Sequence, residues 1–222
     1  MAATVTVDAQ VWTLNLGDSE NTFSQEWLTQ VSDILAAVRD SSDPIALQIT
    51  ASGKFFSNGL DLDWLQTHPG EWQPYVDQVH AIFSQVLTLP VPTVCAINGH
   101  CFAAGAMLAL ACDYRVMRTE RGFFCLPEVD INIPFSPGMS ALIQSKLTAR
   151  TALDAMATGR RYDAPTALKA GIVDAICDVE ELAHVSRGIV VDLAGKDRGT
   201  LGTIKTVMYA DVVAALARPL SC

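Results

Sequence analysis

Short β-rich runs alternate along the chain with segments that carry one apolar stripe at helical spacing. Two β-rich runs, residues 4–7 and 11–16, flank a polar break and predict an antiparallel hairpin. Across residues 27–38 the apolar positions recur with the period of a helix, which predicts an amphipathic helix. Residues 45–50 follow Asp43 and Pro44 and predict a buried strand. The N-terminal segment therefore predicts a ββα unit and the start of another.

The centre of the chain is apolar and is divided by turn residues. A loop over residues 52–59 leads to a short helix near Asp61, and a longer helix with apolar positions from 76 to 87 follows. A strand at residues 93–97, an Asn98-Gly99 turn and an alanine-rich helix at residues 104–111 come next. Residues 78–112 carry no formal charge, but their prolines and turn residues favour buried core over a membrane span.

The second half of the chain is predicted to be mostly helical. Strands are expected at residues 114–117 and 122–125, and one more at residues 172–176. Pro165 suits the first turn of a helix that Gly171 would end. The pattern indicates a single α/β domain with a helical C-terminal region.

Composition narrows the class of protein further. The 222 residues are 50% hydrophobic and 18% charged, which is too apolar for a disordered chain and suits one domain. The net charge of −9 lacks the basic footprint of a nucleic-acid binder, so we expect no nucleic-acid partner. Because residues 78–112 are interpreted as buried core, we expect no membrane partner either.

The cysteines and the two ends of the chain bear on the cellular compartment in which we expect the protein. Six cysteines, Cys222 among them, form no CxxC pair and accompany no histidine cluster, which favours a reducing compartment and no metal site. The N-terminus does not resemble a signal peptide, and the C-terminus is not a Ser-Lys-Leu peroxisomal signal. We therefore expect a cytoplasmic protein rather than a peroxisomal or mitochondrial one.

Two segments could place free backbone amides together. Residues 53–62 and residues 97–106 both run through a glycine turn into a helix, where the first N–H groups have no acceptor within the helix. Two such amides that converge on one carbonyl oxygen form an oxyanion hole. Taken singly and by composition alone, each segment favours an ordinary turn and a closely packed helix.

Glu128 is the candidate acid or base. It follows a predicted strand and stands among apolar residues, so it is either a general base with a raised pKa or a solvated loop carboxylate. Asp130 competes for the same role. His100 is expected to serve its own turn, and His68 and His80 are expected at solvated or edge positions. The sequence contains no GxSxG, GxGxxG, P-loop or HExxH motif.

In their order and spacing, these segments resemble the crotonase superfamily, the enoyl-CoA hydratase and isomerase family. The resemblance extends from about Val5 to about Val185 and is most specific across residues 92–134, with Asn98-Gly99, the Cys112-Asp113-Tyr114-Arg115 run and Pro127-Glu128. It implies an α/β crotonase fold of repeated ββα units in a spiral, with a core over residues 1–195 and a short helical tail over residues 196–222.

The resemblance also implies roles for individual residues. The amides of Leu60 and Ala104 would form the oxyanion hole, and Glu128 would be the catalytic residue. The substrate would be an acyl-CoA, with coenzyme A entering as part of the substrate and no separate cofactor. The residues expected along the substrate and coenzyme A path are Lys54, Ser57, Asn58, Gly59, Asp61 and Gly105.

Met107 departs from the hydratase pattern. Enoyl-CoA hydratases carry a second catalytic glutamate at this position, and a thioether can neither activate water nor deliver a proton. Met107 instead suits an acyl pocket, for which Phe135 and Trp64 are the other candidates. One glutamate suffices to shift a double bond, so the resemblance is greatest to Δ3,Δ2-enoyl-CoA isomerases of fatty-acid β-oxidation.

Other readings stay open at this point. Another crotonase-type reaction, such as thioester hydrolysis, decarboxylation or weak hydration, would use the same oxyanion hole with a different base. The alternative in which the protein is not an enzyme is a catalytically silent protein that binds acyl-CoA. The resemblance further implies a homotrimer or hexamer, in which the preferred acyl chain length depends on how the acyl-pocket side chains pack.

Overall fold

The computed structural model of the chain describes residues 3–219, so Cys222 and the residues beside it lie outside the description. The strands are β1 (Thr4–Asp8), β2 (Val11–Asn15), β3 (Ala46–Thr50), β4 (Phe55–Ser57), β5 (Thr93–Ile97), β6 (His100–Phe102), β7 (Tyr114–Arg118), β8 (Phe124–Cys125) and β9 (Ala175–Cys177). The α-helices are α1 (Gln25–Asp40), α2 (Leu62–Thr67), α3 (Trp72–Leu87), α4 (Ala104–Ala111), α5 (Pro137–Lys146), α6 (Ala149–Thr158), α7 (Ala164–Lys169), α8 (Val179–Val191), α9 (Arg198–Met208) and α10 (Ala210–Leu216).

A six-stranded sheet forms the frame of the fold. Its strand order is β1-β2-β3-β5-β7-β9. Strands β1 and β2 pair antiparallel, which confirms the predicted hairpin, and every later neighbour in the sheet is parallel. Parallel neighbours require crossover connections, and the helices between the strands supply them.

A second sheet of three short parallel strands, in the order β4-β6-β8, stands beside the first. In it Phe55 pairs with His100 and Ser57 pairs with Cys101. The sequence predicts a loop where β4 lies and a turn where β6 lies, because a strand of three residues is too short to show a period. This small sheet fixes the two glycine-bearing segments side by side.

Helix α4 lies at the centre of the molecule and is buried at every position. It is apolar on all sides, as expected of a helix surrounded by protein. Helices α3 and α5 both pack against it, and α10 packs in turn against α5 and α3. Helix α4 therefore carries its N-terminus, and whatever chemistry is located there, on a rigid support.

The C-terminal region is helical, as predicted, and α9 and α10 lie within the proposed tail. Within residues 3–219 no helix has both the length and the apolar character needed to cross a membrane. One histidine expectation was wrong. His80 is only 2% exposed, because α10 packs against α3 and the His80 ring hydrogen-bonds to Leu216 of α10 and to Ser136, the residue before α5.

Candidate active site

The loop that contains Gly59 lies against the first residues of α4 with no room for a side chain. A β-carbon at position 59 would approach the Phe102 carbonyl oxygen, the Ala103 β-carbon and the Ala104 nitrogen to 3.1 Å or less. Gly59 also has a φ of +86°, a conformation that glycine adopts without strain. This contact brings the amide that follows Gly59 next to the amide that opens α4.

Those two amides are free. Among residues 3–219, neither the N–H of Leu60 nor the N–H of Ala104 donates a hydrogen bond to a protein acceptor. Ala104 is the first residue of α4, and Ala103 before it has a φ of +51° and a ψ of −126°. Such a conformation is strained for alanine, and strain of this kind is typical of functional sites. Leu60 and Ala104 both line the same cavity.

Hydrogen bonds fix the loop on either side of Leu60. The Ser57 hydroxyl accepts from the Gly59 N–H at 3.1 Å and donates to the Asn21 carbonyl at 2.8 Å. The Asp61 N–H donates to the Tyr75 hydroxyl at 2.8 Å. Because the neighbouring amides are already engaged, the Leu60 amide alone is left for a ligand.

Glu128 also lines this cavity. It follows β8 in a tight turn, in which Ile133 N–H donates to the Glu128 carbonyl. The side chain is buried, and its Oε2 atom has no hydrogen-bond partner among the described residues. Burial raises the pKa of Glu128 to about 7, although its own backbone N–H partly offsets this by favouring the charged form.

The cavity between these elements measures about 190 Å³. Glu128 is the one acidic side chain among the described residues that line it, and Met107 on α4 contributes a thioether to the wall. The remaining lining residues are Asn58, Leu60, Leu62, Phe102, Ala103, Ala104, Pro127, Ile131, Ile133, Pro134 and Met139. The arrangement offers two amide donors and one carboxylate in a space whose other lining side chains, apart from that of Asn58, are apolar.

Not every residue predicted for the site lies in this cavity. Phe135 lines an adjoining cavity, whereas Trp64 lines neither and stacks on the His68 ring at 4.4 Å. Ser57 and Gly105 are buried behind the cavity, where a β-carbon at Gly105 would lie 2.6 Å from that of Ser57. The structure therefore gives Ser57 and Gly105 a packing role.

The remaining candidates lie near the surface. Lys54 is exposed, with its ammonium group 5.2 Å from the centre of the Phe55 ring. The Asn58 side-chain amide donates to Glu20 at 3.3 Å, and the Asp61 carboxylate caps α2 by accepting from the Trp64 N–H. Asn58 is the member of this group that also lines the cavity.

The two competitors of Glu128 lie elsewhere. Asp130 is exposed, and its carboxylate lies against Gly159. His100 contacts the rings of Phe55, Phe102 and Phe123 and does not line the cavity. Burial and neighbouring cations lower the pKa of His100. Neither side chain is placed to act as the base.

Sequence reasoning missed Phe102 and Met139 as parts of the wall. Phe102 belongs to the three-residue strand β6, which gave no periodic signal. Met139 lies in the first turn of α5, and only the packing of α5 against α4 brings it to the cavity.

Comparison with known proteins places this geometry in context. The family model described as enoyl-CoA hydratase/isomerase matches residues 7–221. An Arabidopsis thaliana protein named enoyl-CoA delta isomerase 2, peroxisomal, is 36% identical over 174 residues, which are 74% of this chain and 72% of that protein. Enoyl-CoA delta isomerase 3 of the same plant is 34% identical over 206 residues, 88% of this chain and 87% of that protein.

Solved structures agree on the fold. A crystal structure of an enoyl-CoA hydratase/isomerase family protein from Pseudomonas syringae superposes with a TM-score of 0.90 at 22% identity. The match covers 96% of this chain and 93% of the other. The predicted crotonase fold is thereby confirmed.

Proposed function

The chain belongs to the enoyl-CoA hydratase/isomerase family, and on that premise we propose that it moves the double bond of a 3-enoyl-CoA to the 2-trans position. The observation that carries the proposal is the lone carboxylate in the cavity. Glu128 faces the cavity without a hydrogen-bond partner for Oε2, and the wall residue Met107 has no acid–base chemistry. A double-bond shift needs one base, whereas the hydration of the family's two-glutamate enzymes uses two.

The first step is proton removal at C2. The thioester carbonyl oxygen accepts hydrogen bonds from the Leu60 and Ala104 amides, which stabilise negative charge on that oxygen. The Glu128 carboxylate takes the proton from C2, and the electron pair of the C–H bond spreads over C2, the carbonyl and the C3–C4 double bond. The product of this step is a dienolate beside a neutral Glu128.

The second step returns the same proton at C4. Glu128 donates it, the electron pair of the former C3–C4 double bond forms the new C4–H bond, and a double bond remains between C2 and C3. Atoms and charge balance, because Glu128 ends as the carboxylate with which it began. A pKa near 7 suits a group that must both accept and donate a proton at neutral pH.

The apolar walls support isomerisation over hydration. Ile131, Ile133 and Met107 line the cavity with apolar side chains, and the amide of Asn58, the other polar side chain among the described lining residues, already donates to Glu20. We therefore propose slow or absent addition of water to the 2-enoyl product.

We propose that the coenzyme A moiety of the bound substrate extends out of the cavity past Asn58 and Phe102. Lys54, Arg121 and Arg161 surround His100 next to Phe102, and these three cations give an acidic protein a locally positive surface. Such a surface suits the phosphates of coenzyme A. No separate cofactor is proposed.

We also propose a role in β-oxidation of unsaturated fatty acids, a homotrimeric or hexameric assembly and a cytoplasmic location. The first follows from the double-bond shift, which yields the 2-trans thioester. The assembly rests on the resemblance alone, and the location rests on the scattered cysteines, which favour a reducing compartment.

The decisive experiment is a two-substrate assay on the purified protein and on Glu128→Gln. The wild type should convert a 3-enoyl-CoA to the conjugated thioester and should hydrate a 2-enoyl-CoA negligibly. The variant keeps the size of the side chain but cannot take a proton, so isomerisation should fall about a thousandfold.

Asp130→Asn is the matched control, since it neutralises the neighbouring carboxylate that lies outside the cavity. It should retain wild-type activity. Full isomerisation by Glu128→Gln would refute the assignment of the base. Hydration at a comparable rate would refute the one-glutamate mechanism.

A further inference from the structure

A buried tyrosine of α3 contacts the loop that carries the Leu60 amide. The hydroxyl of Tyr75 accepts a hydrogen bond from the Asp61 N–H at 2.8 Å and donates one to the Phe23 carbonyl at 2.9 Å. Burial raises the pKa of Tyr75, so the hydroxyl keeps its proton and can donate throughout the physiological pH range. Tyr75 therefore connects α3 to two separate stretches of backbone.

The hydrogen bonds of Tyr75 belong to a closed ring around Leu60. The Phe23 N–H donates to the Gly59 carbonyl at 2.9 Å. The Phe23 carbonyl accepts from Tyr75, and Tyr75 accepts in turn from Asp61. The residue before Leu60 and the residue after it are thus both anchored to Phe23.

This ring sets the direction of the Leu60 amide through the geometry of the peptide bond. A trans peptide is planar, with its C=O and N–H groups on opposite sides. In the peptide that joins Gly59 to Leu60 the carbonyl is bound to Phe23, so the Leu60 N–H points away from Phe23. The following peptide is held by the bond from Asp61 to Tyr75. With both peptide planes fixed, the backbone of Leu60 has little freedom to rotate.

The second amide of the proposed oxyanion hole is held in a different way. The Ala103 carbonyl, which lies in the same peptide plane as the Ala104 N–H, accepts from the Met107 N–H at 3.1 Å. This is the first hydrogen bond of α4, so the helix itself directs the Ala104 donor. The Leu60 donor lies in a loop instead, and its direction relies on a hydroxyl supplied by α3.

Phe23 is a rigid anchor for the ring of hydrogen bonds. Its side chain is fully buried, stacks on the Trp27 ring at a centroid distance of 4.3 Å and meets the Phe83 ring edge-on at 6.4 Å. Trp27 is fixed as well, because its Nε1–H donates to the Leu16 carbonyl at 3.2 Å. A loop tied to this packing holds its N–H in place before charge develops, as a preorganised oxyanion hole requires.

We propose that Tyr75 is a positioning residue of the oxyanion hole, and that its hydroxyl holds the Leu60 amide where the thioester carbonyl gains negative charge. The inference rests on the proposed function for its reaction, but the polarisation of a bound carbonyl can be measured without turnover. Tyr75 does not line the cavity and so acts through the backbone. Loss of its hydroxyl should weaken transition-state stabilisation more than substrate binding.

Kinetics with a 3-enoyl-CoA supply the first test. In Tyr75→Phe, kcat should fall about tenfold, less than for outright loss of a donor, because Phe23 still holds the Gly59 carbonyl. KM should stay within about twofold of the wild-type value. The matched control is Tyr162→Phe, which removes a hydroxyl from another buried tyrosine, bonded to Asp154 outside the cavity. This control should keep both constants, and an equal loss of kcat in it would overturn the inference.

Infrared difference spectroscopy supplies the second test. Each protein is saturated with hexanoyl-CoA that is isotopically labelled at its carbonyl carbon, a thioester with no double bond to move. Hydrogen bonds from the two amides should lower the carbonyl stretching frequency in the wild type. The shift should be smaller in Tyr75→Phe and unchanged in Tyr162→Phe. A loss of folded protein would reduce the intensity of the bound band and leave its frequency as it is.

The outcomes separate this inference from the proposed reaction. A frequency shift that Tyr75→Phe diminishes, without isomerisation by the wild type, supports the positioning role and removes the proposed reaction. Either an unchanged frequency or an unchanged kcat in Tyr75→Phe overturns the positioning role and leaves the reaction in place. If Tyr75→Phe fails to fold, 4-fluorophenylalanine in place of Tyr75 fills the volume of the hydroxyl without donating a hydrogen bond, and the same two measurements apply.

Discussion

A β-carbon at Gly59 would lie 2.8 Å from the backbone nitrogen of Ala104, a distance that real β-carbons do not reach. Along the chain, α2, α3, β5 and β6 lie between the two residues, yet their contact sets the separation of the two free amides. The oxyanion hole proposed here therefore depends on the absence of one methyl group.

Gly59→Ala should abolish most activity. The new methyl group displaces the loop from α4, and loss of one donor from an oxyanion hole costs about a hundredfold in kcat. The matched control is Gly171→Ala, which has a similar positive φ of +69° but open space around it. Gly171→Ala should lose about 1 kcal/mol of stability and keep wild-type kcat. Equal kcat for both variants would show that the close contact between Gly59 and α4 does not control activity.

Ala103→Gly should stabilise the protein and preserve its activity. Its φ of +51° and ψ of −126° suit glycine, so relief of backbone strain should outweigh the added flexibility of the unfolded chain. We expect the free energy of unfolding to rise by about 1 kcal/mol and the rate of isomerisation to stay the same. Urea unfolding together with the two-substrate assay measures both quantities. Ala103→Val is expected to lose both stability and activity.

The pH–rate profile should report the raised pKa of Glu128. The base is active as the carboxylate, so kcat/KM should rise with pH and level off above about 7. His100→Gln should retain this acidic limb, because His100 lies outside the cavity. A limb centred near 4.5, the ordinary value for glutamate, would contradict the buried and unpartnered environment of the carboxylate.

The ionised form of Glu128 should lower the free energy of unfolding at alkaline pH. Its pKa is about 7 in the folded protein against 4.5 for an ordinary glutamate, so its favourable contribution is present below 4.5 and is lost as pH rises through 7. Glu128→Gln should therefore be more stable than the wild type by up to about 3 kcal/mol at pH 9. The difference should vanish at pH 4. Urea titrations at the two pH values measure it, and an equal difference at both would rule out this electrostatic cause.

His80 should make the protein sensitive to acid. Burial lowers the pKa of His80, with the Leu216 carbonyl and the Asp77 charge partly offsetting it. The unfolded chain thus binds a proton that the folded chain does not, and stability falls as pH drops below the ordinary value for histidine. His80→Gln can donate to Leu216 and accept from Ser136, so its unfolding midpoint should change less between pH 7 and 5. His68→Gln, at an exposed position, should behave as the wild type.

Sequence by itself determined the long elements. The hairpin of β1 and β2 and the amphipathic α1 show a regular period of apolar positions, and α4 is an uninterrupted apolar run that follows turn residues. It also pointed to Leu60, Ala104, Met107 and Glu128, all of which line the cavity. These positions lie in contiguous motifs, where order and spacing along the chain already carry the information.

Only the tertiary structure decided what lies opposite those motifs. Strands β4 and β6 are too short to show a period, and pairing between them aligns the two glycine segments. His80 was expected near solvent and is buried, because α10 returns from the end of the chain to cover it. Trp64 and Phe135 looked equivalent as aromatic wall residues, yet packing turns one toward His68 and the other into the adjoining cavity. Such contacts depend on the directions in which distant elements pack, which local sequence does not specify.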